Sequence, residues 1–197
     1  MIAFVRHGQT ASNRGGQLQG RFDAPLTPDG EAQAARVAKA IAQERPVRVL
    51  TSPLARARST ADAIGTLVGV EVEVDERLVE LDYGEWDQRL VTDVPAAAWR
   101  EWRDTPSYTP PGGESLEAVT ARVVDFCVSR IDEWRDELVV AVSHVSPIKA
   151  AVCWALAIDE RASFRMQLGL ASITRIGYTR GDTPHLLSFN ETSHLQV

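Results

Sequence analysis

Residues 47–56, Val47-Arg48-Val49-Leu50-Thr51-Ser52-Pro53-Leu54-Ala55-Arg56, decide the fold class. The aliphatic, β-branched run Val47–Thr51 reads as a short buried strand, and Ser52-Pro53 sets a capping hydroxyl and a helix-starting proline directly behind it. The helix predicted from there runs to about Gly69. Upstream the pattern is the same. Residues 2 to 6 form a strand closed by His7-Gly8 and followed by a polar, glycine-rich loop to Gly20. Thr27-Pro28 then opens a helix in which Ala34, Val37, Ala38 and Ile41 make one apolar face ending near Pro46.

Downstream, Val70–Val74 alternates like a strand. Leu116, Val119, Val123, Phe126, Cys127 and Ile131 mark an amphipathic helix, and Leu138–Val142 is a central strand. Ser146-Pro147 begins a helix to about Ala157, and Ser172–Tyr178 and Leu186–Phe189 close the chain as paired strands. The Trp- and Pro-rich stretch at about 81–113 lacks a sustained period and reads as an irregular, lid-like excursion. Strands alternating with helices imply an α/β fold of three layers, a mostly parallel central sheet with helices on both faces, in a single domain over residues 1–197.

Composition narrows the function. With 44% hydrophobic and 24% charged residues the chain is an ordinary globular sequence. Its 21 Lys and Arg against 27 Asp and Glu give a net charge of −6, the wrong sign for a general binder of nucleic acid or acidic membrane. Any basic site must be local. Cys127 and Cys153, the two cysteines, are too few for a thiolate zinc cage and read as small buried hydrophobes. Five apolar residues before Arg6 are too short for a signal core or a membrane span, so a reducing cytoplasm is expected.

Arg6-His7 and Ser143-His144 each stand where a buried strand ends, and sites in such folds lie beyond the carboxyl ends of the strands. Arg56 falls in the first turn of a helix, where unpaired N–H groups suit an anion. Two arginines and two histidines gathered at one sheet edge of an acidic protein make a pocket for a dianion, and the natural dianion is a phosphoryl group.

Phe4-Val5-Arg6-His7-Gly8-Gln9-Thr10, followed by Asn13, resembles the signature of the histidine phosphatase, or phosphoglycerate mutase-like, superfamily. Gly20–Thr27, Ser52–Ala57, Leu78-Val79-Glu80 with Gly84 and Trp86, Pro111–Ser115 and Val142-Ser143-His144 are similar to the family's successive blocks, in order along nearly the whole chain. The resemblance implies that His7 attacks phosphorus and becomes a phosphohistidine. Arg6, Arg56 and His144 would hold the phosphoryl oxygens, with the helix after His144 adding backbone donors. Glu80 would protonate the leaving oxygen and then activate water, with Asp82 as the competing candidate and a capping role or an ion pair with Arg77 as Glu80's structural alternative. Asn13, Gln19, Gly20 and Tyr83 would line the pocket.

Arg100 and Arg103 occupy the excursion where the mutase branch carries arginines for a substrate carboxylate. Val145 stands where that branch usually has glycine, and Gln88 where a glycine commonly follows; both are expected to alter pocket shape. The run Ser143–Lys149 looks more like acid-phosphatase and α-ribazole-phosphatase-like members. The expectation is therefore a phosphoric monoester hydrolase acting on a small phosphorylated metabolite without metal or cofactor, with phosphoglycerate mutase as the alternative. The expected partner is a small-molecule phosphate ester rather than nucleic acid or membrane, and a homodimer is left open. A metal-dependent hydrolase built from His7, His144, Glu80 and Asp82 is a rival, although their spacing fits no compact ligand motif. A silent phospho-ligand binder is another.

Overall fold

Strand β1 (Ile2–Arg6) lies inside a six-stranded sheet whose order is β3-β2-β4-β1-β5-β6, with β2 at Arg48–Thr51, β3 at Val72–Val74, β4 at Val139–Ser143, β5 at Ile173–Tyr178 and β6 at Pro184–Glu191. The structure is a computed structural model that describes residues 1–178 and 183–196. β3, β2, β4 and β1 run parallel, and β5 and β6 add an antiparallel pair. Residues alternate across the two faces of each strand. Ala3, Val5, Val49, Val140 and Val142 pack on one face against Val37, Ala38 and Ile41 of α2 (Pro28–Ala42) and Ala57, Ala61 and Ile64 of α3 (Ala55–Val68). Phe4, Leu50, Val139 and Ala141 face the other way, toward α5 (Leu116–Ser129) and α7 (Val145–Leu156). The central strands are apolar on both faces because both faces are covered.

Thr27 caps α2, accepting from the Gly30 N–H at 3.1 Å, as its sequence suggests. The cap expected at Ser52 does not form. Helix α3 begins three residues later at Ala55, where Asp23 reaches across from the preceding loop and accepts the Ala55 N–H at 2.7 Å. A carboxylate from elsewhere in the chain has taken the capping place, while Ser52 Oγ accepts the Leu54 N–H at 3.3 Å just ahead of the helix. The polar loop after β1 also contains a short helix, α1 (Ala11–Gly15), held by a Thr10/Asn13 capping box.

The excursion is more ordered than its composition suggests. Within it α4 (Ala96–Asp104) places Trp99 and Trp102 on one side, a turn apart. Trp102 meets the rings of Tyr83, Trp86, Trp99 and Phe164 at centroid distances of 5.7, 6.1, 5.1 and 4.9 Å. Each such edge contact is worth about 0.5–1.5 kcal/mol beyond buried area, which anchors α4 to the turn at residues 160–165. The short α6 (Ile131–Trp134) follows α5 and buries Trp134, whose indole N–H donates to the Cys127 carbonyl at 3.1 Å.

Candidate active site

β1 and β4 are parallel and in register, Arg6 opposite Ser143, so the next residues, His7 and His144, emerge together at one edge of the sheet. Their ring centroids are 5.0 Å apart and both side chains are buried. His7 Nδ1 lies 2.7 Å from the Gly8 carbonyl oxygen. A carbonyl only accepts, so Nδ1 carries the proton and Nε2 keeps a bare lone pair. Burial, reinforced by the Arg56 and Arg6 charges, holds His7 well below the usual histidine value. The ring is neutral at pH 7, and its lone pair is not lost to a proton. Gly8 allows this packing, because a Cβ there would sit 2.3 Å from the Gly30 carbonyl oxygen in the first turn of α2.

Arg56 is fully buried in the first turn of α3. Its Nε donates to His144 Nδ1 at 3.2 Å, Nη1 to the Phe22 carbonyl at 2.9 Å and Nη2 to the Gly20 carbonyl at 2.7 Å. A guanidinium has five N–H groups, so two remain for a ligand. Because Arg56 only donates, His144 Nδ1 is bare and its Nε2–H donates to Ser52 Oγ at 2.7 Å. His144 thus braces Arg56 against Ser52. Both of its ring nitrogens have protein partners, and a direct grip on a phosphoryl oxygen requires releasing one of them. Burial and the Arg56 charge also hold His144 well below the usual histidine value.

Arg6 donates Nη1 to the Leu168 carbonyl at 2.5 Å, while its Nε is buried with no partner. Burial draws its guanidinium down to about 10, opposed by Glu80 and Tyr83, so it remains charged at neutral pH. Gln19 is similar. Thr10 Oγ1 donates to its Oε1 at 2.5 Å, and Nε2 is left buried and unsatisfied. Asn13 turns its Oδ1 back to the Thr10 N–H at 3.1 Å to cap α1. Gly20 lets its loop press against the chain beyond Glu80, since a Cβ would lie 2.8 Å from the Leu81 carbonyl oxygen.

Glu80 is only 4% exposed, and its carboxylate is clamped by backbone. Oε1 accepts from the Leu81 and Ser146 N–H groups at 2.7 and 3.1 Å, and Oε2 from the Val145 N–H at 3.0 Å. The backbone donors at the start of α7, expected from sequence to face the phosphoryl group, are therefore engaged by Glu80. A carboxylate is the natural occupant of a helix N-terminus, where unpaired N–H groups and the helix dipole converge. Arg77 pairs with Asp75 and Asp125 rather than with Glu80. Asp82 accepts the Gly84 N–H at 2.8 Å and faces Arg21 at the rim. Tyr83 is buried and lines a small cavity together with Ser146. Val145 flanks the same cavity. Arg100 and Arg103 are not brought into this cluster. Both are exposed on α4, and Arg103 borders an outer cleft of about 760 Å³ with Arg161, Phe164 and Arg165.

The family model described as histidine phosphatase superfamily (branch 1) matches residues 2–192. The chain belongs to the histidine phosphatase superfamily. This histidine phosphatase is 33% identical over 193 residues to the glucosyl-3-phosphoglycerate phosphatase of Mycolicibacterium vanbaalenii, covering 92% of this chain and 86% of that protein. It is 30% identical over 202 residues, 94% of each chain, to a probable phosphoglycerate mutase, GpmB, of Salmonella paratyphi C. The solved phosphoserine phosphatase of Entamoeba histolytica, in complex with 3-phosphoglyceric acid, aligns with a TM-score of 0.91 at 28% identity over 99% of this chain and 98% of that one.

Several residues that shape the site in this histidine phosphatase escape a reading of motifs. Ser52 looks like a helix cap and serves instead as the partner of His144. Thr10 orients Gln19, and the Thr-x-x-Asn spacing with Asn13 is a capping signal that could have revealed α1. Asp23 tightens the loop that carries the Gly20 and Phe22 carbonyls onto the start of α3. Among the described residues no three His, Cys, Asp or Glu side chains converge as a metal site needs, and no helix is long and apolar enough to cross a membrane.

Proposed function

We propose that this histidine phosphatase hydrolyses phosphate monoesters of small metabolites, without a metal, through a phosphohistidine formed on His7. The observation that carries the reading is the pairing of a neutral His7, its Nε2 lone pair bare, with cationic and amide donors that the protein leaves unspent. Arg6 Nε and Gln19 Nε2 are buried without partners. An orphaned buried donor costs about 1–3 kcal/mol, a penalty that phosphoryl oxygens would relieve. The phosphatase names of two of its relatives support the same activity.

His7 Nε2 bonds to phosphorus as the P–O bond to the leaving group breaks in line, and Glu80 gives its proton to the departing oxygen. Water then attacks phosphorus, passes its proton to Glu80 and displaces the histidine, which releases inorganic phosphate. The Arg6 and Arg56 guanidinium groups hold the charge spread over the equatorial oxygens. Glu80 takes the proton it donates from solvent before the first step, and a protonated oxygen accepts more weakly from the Val145 and Ser146 N–H groups. Those groups are then free for the phosphoryl oxygens. The run Ser143–Lys149 supports the acid-phosphatase-like branch, and two buried free thiols suit a reducing cytoplasm.

The test is a single-turnover reaction with an aryl phosphate, quenched in alkali and mapped by peptide. Label on His7 and steady release of phosphate are expected, with turnover unaffected by a chelator. A label on any other residue refutes the nucleophile. A parallel panel with and without 2,3-bisphosphoglycerate scores isomerisation against hydrolysis, and dominant isomerisation would turn the reading to the mutase.

A further inference from the structure

The Nε2 of His7 can attack phosphorus only while Nδ1 carries the ring proton, and what keeps the proton there is the Gly8 carbonyl. In many enzymes a carboxylate sets the tautomer of a working histidine, whereas here the task falls to a peptide oxygen on the glycine that follows it. Glycine has the backbone that turns most freely. The two peptide planes that meet at Gly8 must therefore be fixed by other groups.

Both planes are held at both ends. In the peptide joining His7 to Gly8, the His7 carbonyl accepts the Ala171 N–H at 3.2 Å and the Gly8 N–H donates to Thr60 Oγ1 at 3.2 Å. In the peptide joining Gly8 to Gln9, His7 Nδ1 donates to the Gly8 carbonyl at 2.7 Å and the Gln9 N–H donates to Gln33 Oε1 at 2.9 Å. The C=O and N–H of a trans peptide share a plane and point opposite ways, so a grip on the Gln9 N–H aims the Gly8 oxygen at the imidazole. Gln33 lies on α2 and Thr60 on α3, so two helices reach the nucleophile's loop from outside it.

The part Thr60 plays is forced by its partners. Its hydroxyl donates to the Arg56 carbonyl at 2.9 Å, a group that only accepts, and so turns a lone pair to the Gly8 N–H, which only donates. Thr60 is fully buried, and no solvent stands by to replace it. The start of α2 holds Gln9 from its other side as well, the Thr27 N–H donating to the Gln9 carbonyl at 2.8 Å.

We propose that Gln33 and Thr60 are positioning residues for phosphoryl transfer: by fixing the peptides on either side of Gly8 they keep its carbonyl on His7 Nδ1 and so keep Nε2 bare for phosphorus. Both act through the loop and not on the substrate. The inference rests on the reading of His7 as the nucleophile and deepens it. Once the Gly8–Gln9 peptide can turn, Nδ1 loses its acceptor and the proton is shared between the two nitrogens. A ring with the proton on Nε2 has no lone pair there to offer phosphorus.

The experiment uses the full chain with isotope-labelled histidine nitrogens at about pH 8, where the rings are neutral. Two-bond proton–nitrogen spectra show which ring nitrogen carries the proton, and comparison with His7→Gln assigns the His7 signals. Wild type should show His7 protonated on Nδ1 alone. Gln33→Leu should move part of the proton to Nε2 and slow single-turnover phosphorylation by an aryl phosphate about tenfold, the scale of one hydrogen bond. Inhibition by inorganic phosphate, which reads Arg6 and Arg56, should stay within about twofold of wild type. Gln33→Glu keeps an accepting oxygen and should restore both tautomer and rate. Thr60→Val keeps the shape and deletes the hydroxyl, so it should shift the same tautomer, with Thr60→Ser restoring it; this pair decides the matter should Gln33→Leu not fold. A proton that stays on His7 Nδ1 in both Gln33→Leu and Thr60→Val overturns the inference. So does a loss of phosphate inhibition in Gln33→Leu equal to the loss of rate, which marks a disturbance of the whole pocket. A phosphoryl label on a residue other than His7 in wild type would instead overturn the nucleophile reading.

Discussion

Replacing Arg56 with lysine keeps a positive charge at the centre of the site and removes the planar fork, so it separates charge from geometry. Arg56 makes three directed hydrogen bonds, to the Gly20 and Phe22 carbonyls and to His144 Nδ1. An ammonium on a flexible stem cannot reproduce the fork and keeps one of the three at best. Each charge-assisted bond is worth about 1.5–3 kcal/mol, but the Phe22 segment is exposed and its carbonyl can turn to water. Those bonds exist with and without substrate, so what kcat/KM loses is the aim of the two remaining N–H groups at the phosphoryl oxygens, about 1.5 kcal/mol each or about 3 kcal/mol together. At about 1.4 kcal/mol per decade, that is roughly a hundredfold in kcat/KM. Burial already lowers the Arg56 guanidinium, and a lysine amine starts from a lower value, so part of the charge goes as well. The assay is kcat/KM with an aryl phosphate, together with the inhibition constant of inorganic phosphate, which should rise in parallel. Activity within threefold of wild type would refute the account of Arg56 as an oriented ligand.

Glu80→Gln should slow phosphorylation by an alkyl ester far more than by an aryl ester, whose oxygen departs without needing a full proton; equal losses in single-turnover rates would remove Glu80 from the acid role. The same substitution turns an amide NH₂ toward backbone N–H groups that now donate to the carboxylate, so it should also lower stability by about 1–3 kcal/mol, readable as a shift in the urea midpoint. His7 and His144 both have folded values depressed below the ordinary histidine value by burial. The unfolded chain therefore binds more protons than the folded one once pH falls below about 6.5, and stability is full above that pH and lost beneath it. Urea midpoints should fall between pH 7 and pH 5 with a slope of up to about 1.4 kcal/mol per unit for each histidine, and replacing both with glutamine should flatten that part of the profile.

Much of the fold was legible because its signals are local. Apolar periodicity marked the helices and strands, Thr27-Pro28 marked the start of α2, and the arginine-histidine pairs at strand ends pointed to one edge of the sheet. The parallel pairing of β1 with β4 in register then brought His7 beside His144 with no further instruction. Helix α4 was hidden because its nine residues bury only Trp102, too short a face to register as a period. What each site group does was decided by partners far away in the chain. Ser52 meets His144 across 92 residues, Glu80 meets the start of α7 across 65, and Asp23 displaces the nearby Ser52 as the acceptor at α3. A residue's type says what it can donate or accept, but a hydrogen bond forms only where packing sets a partner within about 3 Å, and several residues of the same type compete for each place. The sequence alone therefore determined the layered architecture and the kinds of group gathered at the sheet edge. Only the tertiary structure decided that His7 keeps Nε2 bare, that His144 braces Arg56, and that Arg6 Nε and Gln19 Nε2 are buried with nothing to donate to.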